Sequence, residues 1–147
     1  MAELTLGQAN RLIETALARA RELKLPPVGV AVLDPGGHLI ALQREDGLSF
    51  LRVKVCQAKA YGALALGAHS RHLAERYASS VNSEGFFTAL NVMSGGMVVP
   101  LIGGVLIRDD TGRVLGAAGV SGARSEDDEV CAVAGIEALG YPLDLPA

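Results

Sequence analysis

Aromatic side chains are scarce in this chain of 147 residues: tryptophan is absent, and all aromatic residues together make up 4%. The sequence also lacks a run rich in lysine and arginine with aromatic residues between them, which is the usual mark of a nucleic-acid-binding surface. The net charge is -3 at pH 7, so there is no excess of positive charge to attract phosphates. Nucleic acid is therefore a poor candidate partner.

Long hydrophobic runs are missing as well. The longest apolar run, Met97 to Ile107, has about half the length of a bilayer-spanning helix, and Pro100, Gly103 and Gly104 interrupt it. The chain starts Met-Ala-Glu-Leu-Thr, without the basic and apolar regions of a signal peptide. We therefore expect no membrane association and a cytoplasmic location.

Cysteine is limited to Cys56 and Cys131, which lack the spacing of a CxxC motif and are most simply interpreted as reduced, buried thiols. Half of the residues are apolar. A chain of this length buries roughly 70% of its unfolded surface, so its core needs neither a disulfide nor a metal. Residues 1–147 are predicted to form a single domain, and the high apolar content favours a homo-oligomer.

The best-organised segment of the sequence runs from Gly103 to Gly140. Its turn Asp109-Asp110-Thr111-Gly112 separates two apolar runs, 104–108 and 113–120, and this pattern is typical of a β-hairpin. The second strand is rich in glycine, which predicts a flat surface approached closely by backbone or by a ligand.

A helix is predicted to follow this hairpin, with Ser125 as its N-cap and Gly140 as its C-terminal glycine. A glycine-rich corner before a helix can bind phosphate. However, four acidic residues, 126–129, open the helix and would repel phosphate, so we expect them to complement the helix dipole.

The remaining segments extend the pattern of hairpins and helices. Predicted helices have apolar residues at helical spacing, and predicted strands alternate or are β-branched. Together they favour an α+β fold with an antiparallel sheet of about five strands flanked by helices. The predicted elements are a helix from Thr5 to Leu23 with a Thr5–Gln8 capping box, a hairpin of Val28–Leu33 and His38–Gln43, helices from Ser49 to about Ala68 and from Ser70 to Ala78, an uncertain segment Val81–Ser94, and a strand from Met97 to Leu101.

One face of the second long helix carries a predicted ligand site. Arg52, Cys56 and Lys59 fall at spacings of four and three, which places two cations beside a thiol and favours the thiolate. We hypothesise that Arg52 and Lys59 hold an anionic group of a ligand over the glycine-rich strand. The predicted ligand-binding residues are Arg52, Cys56, Lys59, Gly119, Ser121 and Gly122.

A catalytic interpretation stays open beside the binding one. Lys59 with Asp34 or Asp128 could act as acid and base in a small metal-free enzyme of isomerase, lyase or hydrolase type, with Cys56 as a less favoured nucleophile. The simpler interpretation assigns Asp34 to a turn and Asp128 to a helix start. A structural subunit without chemistry is the third alternative.

The histidines give little sign of a metal site. His69 and His72 are three residues apart on a predicted helix, but they lie in a polar stretch and are expected to be exposed. His38 is expected to be a surface residue beside a turn. No protein-bound metal site is predicted.

Five parts of the sequence, taken in order, form a recognisable pattern. They are Leu6–Leu25, VGVAVLDPGGHLIALQREDG from Val28 to Gly47, Lys59-Ala60, Gly103-Gly104, and GAAGVSG from Gly116 to Gly122 with Asp128-Glu129 after it. In this order they resemble the GlcG/HbpS-like family, also called the haem-degrading domain family, which includes the C-terminal domain of PduO-type corrinoid adenosyltransferases. The resemblance implies a profilin-like antiparallel sheet flanked by helices and a symmetric oligomer.

The same resemblance implies a function, because some members of the family bind haem or take part in its breakdown. The leading hypothesis is therefore a homo-oligomeric small-ligand-binding protein whose ligand is haem or another planar anionic molecule. Haem needs an axial ligand, an apolar slot and basic groups for its propionates. The candidate axial ligands are His38, His69, His72, Cys56 and Tyr61.

Overall fold

The structure is a computed structural model that describes residues 3–145. Within this range the chain forms five α-helices and four β-strands. In chain order they are α1 (Leu6–Glu22), β1 (Gly29–Leu33), β2 (Leu39–Arg44), α2 (Phe50–Leu66), α3 (Ser70–Tyr77), α4 (Val81–Met93), β3 (Gly104–Arg108), β4 (Val114–Ser121) and α5 (Ser125–Ala138).

The four strands form one antiparallel sheet in the order β2-β1-β4-β3. The predicted hairpins β1–β2 and β3–β4 are both present, and they join through β1 and β4, where Gly29 pairs with Ser121 and Leu33 with Ala117. Helices α1 and α5 pack on one face of the sheet and α2 packs on the other. The predicted α+β class is confirmed.

The sheet has four strands among the described residues, because Met97–Leu101 is not a strand as predicted. The edge strand that a fifth strand would have joined, β3, already has hydrogen-bond partners for its outward N–H groups. The outward N–H groups of Gly104 and Leu106 in β3 donate to Ser70 Oγ at 2.7 Å and to His69 Nδ1 at 3.0 Å. The start of α3 therefore occupies the place of a fifth strand.

The helix ends agree with most of the predicted signals. Thr5 and Gln8 form the predicted capping box, with both hydrogen bonds at 3.0 Å, and Gly140 follows the last residues of α5. Ser125, however, is the first residue of α5 and Arg124 is the N-cap. The uncertain segment after residue 80 is a helix, α4, capped by Ser80.

The glycine-rich strand β4 is covered by α2. A Cβ atom at Gly119 would collide with the carbonyl oxygen of Cys56 in α2. The flat surface predicted from the glycines therefore exists, but the helix backbone lies against it. The expectation that this strand forms the floor of a ligand pocket is wrong at Gly119.

We predict that Gly119→Ala lowers the free energy of unfolding by about 3 kcal/mol or more, since two backbone segments must separate to admit the methyl group. Gly7→Ala is the matched control, because a Cβ at Gly7 meets only Thr5 Oγ1 at an ordinary 3.8 Å. The control should be neutral or stabilising by up to about 1 kcal/mol. Urea unfolding at one protein concentration measures both, and equal stabilities would contradict the close approach.

Candidate functional site

Lys59, the central residue of the predicted site, is buried with only 1% of its surface exposed. Its Nζ donates to the carbonyl oxygen of Val120 at 2.9 Å and to Asp128 Oδ2 at 3.0 Å. Asp128 is fully buried, and its Oδ1 accepts the N–H of Ala123 at 3.0 Å. The ion pair therefore connects α2 to the end of β4 and the start of α5.

Burial controls the electrostatics of this pair. Loss of water lowers the pKa of Lys59 and raises the pKa of Asp128, while the attraction between the two groups opposes both shifts. Of the two carboxylates that the catalytic interpretation set beside Lys59, the structure places Asp128 in contact with it. A substrate, however, would have to displace packed side chains to reach either group, so the burial favours a structural role over acid and base catalysis.

Cys56 lies on the same helix and is fully buried. Its thiol is 3.1 Å from the carbonyl oxygen of Val53, and burial raises its pKa to about 12 despite the nearby charge of Lys59. The expectation that two cations would favour the thiolate is therefore wrong. A protonated thiol is a poor nucleophile and a poor metal ligand.

Arg52 is the exposed member of the predicted ligand-binding set, and its Nη1 donates to Ser121 Oγ at 3.2 Å. The other members surround a packed corner. A Cβ at Gly122 would collide with the carbonyl oxygen of Pro27, and α2 covers Gly119. The predicted residues are thus brought together, but Arg52 alone offers a charged group to solvent there.

Asp34, the other predicted acid, makes no contact with Lys59 and lies in the β1–β2 turn. Its Oδ1 accepts the N–H groups of Gly36 at 2.9 Å and His38 at 3.0 Å, and it lies 3.2 Å from His38 Nδ1. Desolvation raises the pKa of Asp34, but these hydrogen bonds, together with the positive charge of His38 when its ring is protonated, outweigh the desolvation and hold the pKa below its usual value.

His38 is a surface residue beside a turn, as predicted, with 82% of its side chain exposed. An ionised carboxylate can only accept hydrogen bonds, so His38 Nδ1 carries the proton in its bond to Asp34. In the neutral ring, this tautomer leaves the lone pair on Nε2, on a side chain that is mostly exposed. The pair therefore presents an oriented imidazole nitrogen.

His69 is buried, although the polar sequence around it predicted exposure. Its Nδ1 accepts the N–H of Leu106, and its Nε2 bonds to the carboxylate of Asp144. His72 is exposed. Within residues 3–145, no three His, Cys, Asp or Glu side chains are grouped so that they could hold a metal ion.

Two cavities lie away from the predicted site. The first, of about 650 Å³, has three carboxylates and two guanidiniums in its walls, which opposes an anionic ligand. One wall contains an ion pair between Arg71 and Glu129, with an N···O distance of 2.7 Å. Its residues are far apart in the chain, so no local pattern in the sequence predicts it. This cavity is lined by Arg19, Arg71, Glu126, Glu129, Val130, Val133, Ala134, Glu137, Leu143 and Leu145.

The second cavity, of about 530 Å³, is an apolar groove between α4 and the segment 97–101. No charged side chain lines it. Its walls are formed by Tyr77, Phe87, Thr88, Asn91, Val98, Val99, Pro100 and Leu101. Neither cavity is lined by any of the predicted catalytic or ligand-binding residues.

Among residues 3–145, no helix combines the length and the apolar character that a membrane crossing requires.

We predict that the Lys59–Asp128 pair is energetically coupled. Lys59→Met should lower the free energy of unfolding by about 3–5 kcal/mol, because it leaves a buried carboxylate without its cation. The double change with Asp128→Asn should cost at least about 1 kcal/mol less than the sum of the two single changes. Urea unfolding of the four proteins gives this coupling energy.

The exposed pair Arg19–Glu22, with an N···O distance of 3.1 Å, provides the control cycle. Arg19→Met and Glu22→Gln should show a coupling of no more than about 0.5 kcal/mol, because solvent screens the charges. Additive effects at Lys59 and Asp128 would show that the buried contact contributes no more than this surface pair.

We also predict that both thiols are unreactive in the folded protein. Burial raises the pKa to about 12 for Cys56 and about 11 for Cys131, so thiolate is scarce at pH 8. A chromogenic disulfide reagent should label both thiols rapidly in urea and at least 100-fold more slowly without it. Rapid labelling of Cys56 in the native protein would restore the nucleophile hypothesis.

Comparisons with known proteins give the family of the chain. The family model for the haem degrading protein HbpS-like matches residues 4–137. An uncharacterised 15.0 kDa protein from Citrobacter freundii, in a dhaT-dhaS intergenic region, is 27% identical over 132 residues, with 90% of this chain and 89% of that protein covered.

Two solved structures illustrate the similarity of fold. The PduOC:haem complex has a TM-score of 0.83 at 23% identity and covers 98% of this chain and 100% of its own. A double mutant of HbpS from Streptomyces reticuli has a TM-score of 0.77 at 29% identity and covers 95% of this chain and 89% of its own. Because the family model spans nearly the whole sequence, the chain belongs to the HbpS-like family.

Proposed function

We propose that this protein binds a small ligand, namely haem or a similar planar anionic molecule, and that His38 is the residue that would ligate the haem iron. The Asp34–His38 pair is the observation that carries this proposal. Membership of the HbpS-like family and the similarity of fold to a PduOC:haem complex support it.

The pair has the chemistry that an axial ligand requires. Metal-ligating histidines usually donate their second ring N–H to a carboxylate or a carbonyl group, which fixes the tautomer and orients the ring. Asp34 accepts this bond from His38 Nδ1 at 3.2 Å, and Nε2 remains accessible. Asp34 would therefore act as a positioning residue rather than as an acid or base beside Lys59.

The other candidate axial ligands fit less well. His69 uses both ring nitrogens, and the Cys56 thiol is buried and protonated. His72 is exposed and its ring stacks on His69, but its Nδ1 is 3.6 Å from Glu75, beyond hydrogen-bonding distance, so no hydrogen bond to a carboxylate fixes its tautomer. Tyr61 is half-buried with its ring against Gly37.

The surface around His38 supplies part of a haem site. Leu39 is exposed beside it, and the ring of Tyr61 lies against the same turn. When bound, haem would supply iron-centred redox and oxygen chemistry. The role of the chain would be to hold the iron through His38 and to contact the porphyrin plane through these apolar groups.

We further propose that the protein acts as a homo-oligomer. Large apolar side chains are exposed at the start of α2, at Phe50 and Leu51, and along α4. Exposed apolar patches commonly mark interaction surfaces. A second subunit would also enclose a planar ligand that a single turn leaves open to solvent.

The cytoplasmic location stays a prediction of the sequence.

Titration of the protein with haemin, followed by its Soret absorbance, tests this function. We expect saturation at one haemin per chain. Asp34→Asn should weaken binding by about 10–100-fold through loss of ring orientation, and His38→Ala should weaken it at least as much and change the spectrum. His72→Ala is the matched control and should leave affinity and spectrum unchanged.

Metal-free protoporphyrin IX separates binding of the porphyrin plane from ligation of the iron, because it has no iron for His38 to ligate. The affinity of the protein for this porphyrin should therefore be unchanged by His38→Ala. Absence of any saturable Soret change with haemin would refute haem binding. Unchanged haemin spectra in His38→Ala would refute the assignment of the ligand.

A further inference from the structure

Helix α4 is poorly covered within a single chain. Of its 13 residues, Phe87 alone is buried, and Glu84 is its single charged residue. Val81, Val92 and Met93 are 75–80% exposed. Because most of the stability of helices in proteins comes from packing of an apolar face, this surface calls for a covering partner.

The exposed apolar residues of α4 share one side of the helix. Successive residues of a helix are about 100° apart around its axis. The exposed apolar residues therefore fall within an arc of roughly 140°, on the side of α4 opposite Phe87. We call this surface the α4 face. It consists of Val81, Asn82, Gly85, Phe86, Ala89, Val92 and Met93, and Asn82 is its one polar side chain.

The centre of the α4 face is small and open. Gly85 and Ala89 are one turn apart, and a Cβ at Gly85 would have no neighbour within 4 Å. Small residues at such a point let two helix axes approach to about 8 Å. The bulky residues Val81 and Met93 lie at the two ends.

This arrangement is complementary to itself. Consider two antiparallel α4 helices related by a two-fold axis that crosses them at the level of residue 87, on the side of the α4 face. Gly85 would then lie opposite the partner's Ala89, and Val81 opposite the partner's Met93. A two-fold contact requires this kind of reciprocal match. The side chains of the α4 face are uncharged, and the guanidinium of Arg76 lies over the Phe86 ring at the edge of the face, 5.4 Å from its centroid. Two copies would therefore bring no like charges together at the centre of the contact.

The area is also appropriate for such a contact. The large apolar side chains of the α4 face are 43–80% exposed. Covering this face would remove on the order of 600 Å² from each copy, close to the roughly 800 Å² per partner of a standard interface. The apolar groove of about 530 Å³ lies beside this face and would extend the contact.

We propose that the α4 face is an isologous interface between two copies of this chain, built around Gly85 and Ala89. This inference rests on the proposed homo-oligomer and names its contact surface. The apolar patch at Phe50 and Leu51 is the competing surface, and a different protein is the competing occupant.

Light scattering after size exclusion, over a range of concentrations, tests the proposal. Ala89→Glu should raise the dissociation constant of the α4 contact at least 100-fold, because two carboxylates would be buried near the two-fold axis. Position 89 is exposed in the single chain, so circular dichroism should show an unchanged fold. Phe50→Glu is the matched control and should leave this contact intact.

A mixing experiment tests the antiparallel register. Gly85→Lys alone should also dissociate the contact, and mixing it with Ala89→Glu should restore a mixed dimer, because the new ammonium would face the new carboxylate. Loss of assembly in Phe50→Glu but not in Ala89→Glu, or failure of the mixture to associate, would overturn the α4 interface while leaving the homo-oligomer in place. A wild type that is monomeric at all concentrations would overturn both.

Discussion

The close approach of α2 to β4 is the constraint on which the rest of the structure depends. The backbone of α2 at Cys56 lies directly on Gly119, where no side chain could fit. At this separation, Lys59 reaches both the carbonyl oxygen of Val120 and the carboxylate of Asp128. The glycine, the cation and the buried carboxylate therefore act together, and they fix the corner between β4 and α5.

Local signals in the sequence predicted most of the fold. Both hairpins, the Thr5–Gln8 capping box and the helix after the glycine-rich strand depend on residues close to one another in the chain. The prediction of a fifth strand was wrong because Ser70 and His69, from another part of the chain, already accept hydrogen bonds from the edge of β3. Such long-range bonds leave no periodic pattern in the sequence.

The candidate site was predictable in composition but not in accessibility. Helical spacing placed Arg52, Cys56 and Lys59 on one face, and the structure does bring Lys59 to Asp128. A glycine-rich strand, however, admits either a ligand or a helix backbone, and the sequence does not distinguish them. Burial then reverses the expected chemistry of Cys56, because desolvation outweighs the nearby cation.

The bonded edge of β3 has a consequence for how the protein can associate. Open strand edges recruit strands from other molecules, which leads to continuous sheets and to aggregation. With the outward N–H groups of Gly104 and Leu106 already satisfied, this end of the sheet offers no such template. Growth by strand addition there is blocked, so copies that meet on this side must recognise side chains, a mode that yields assemblies of defined size.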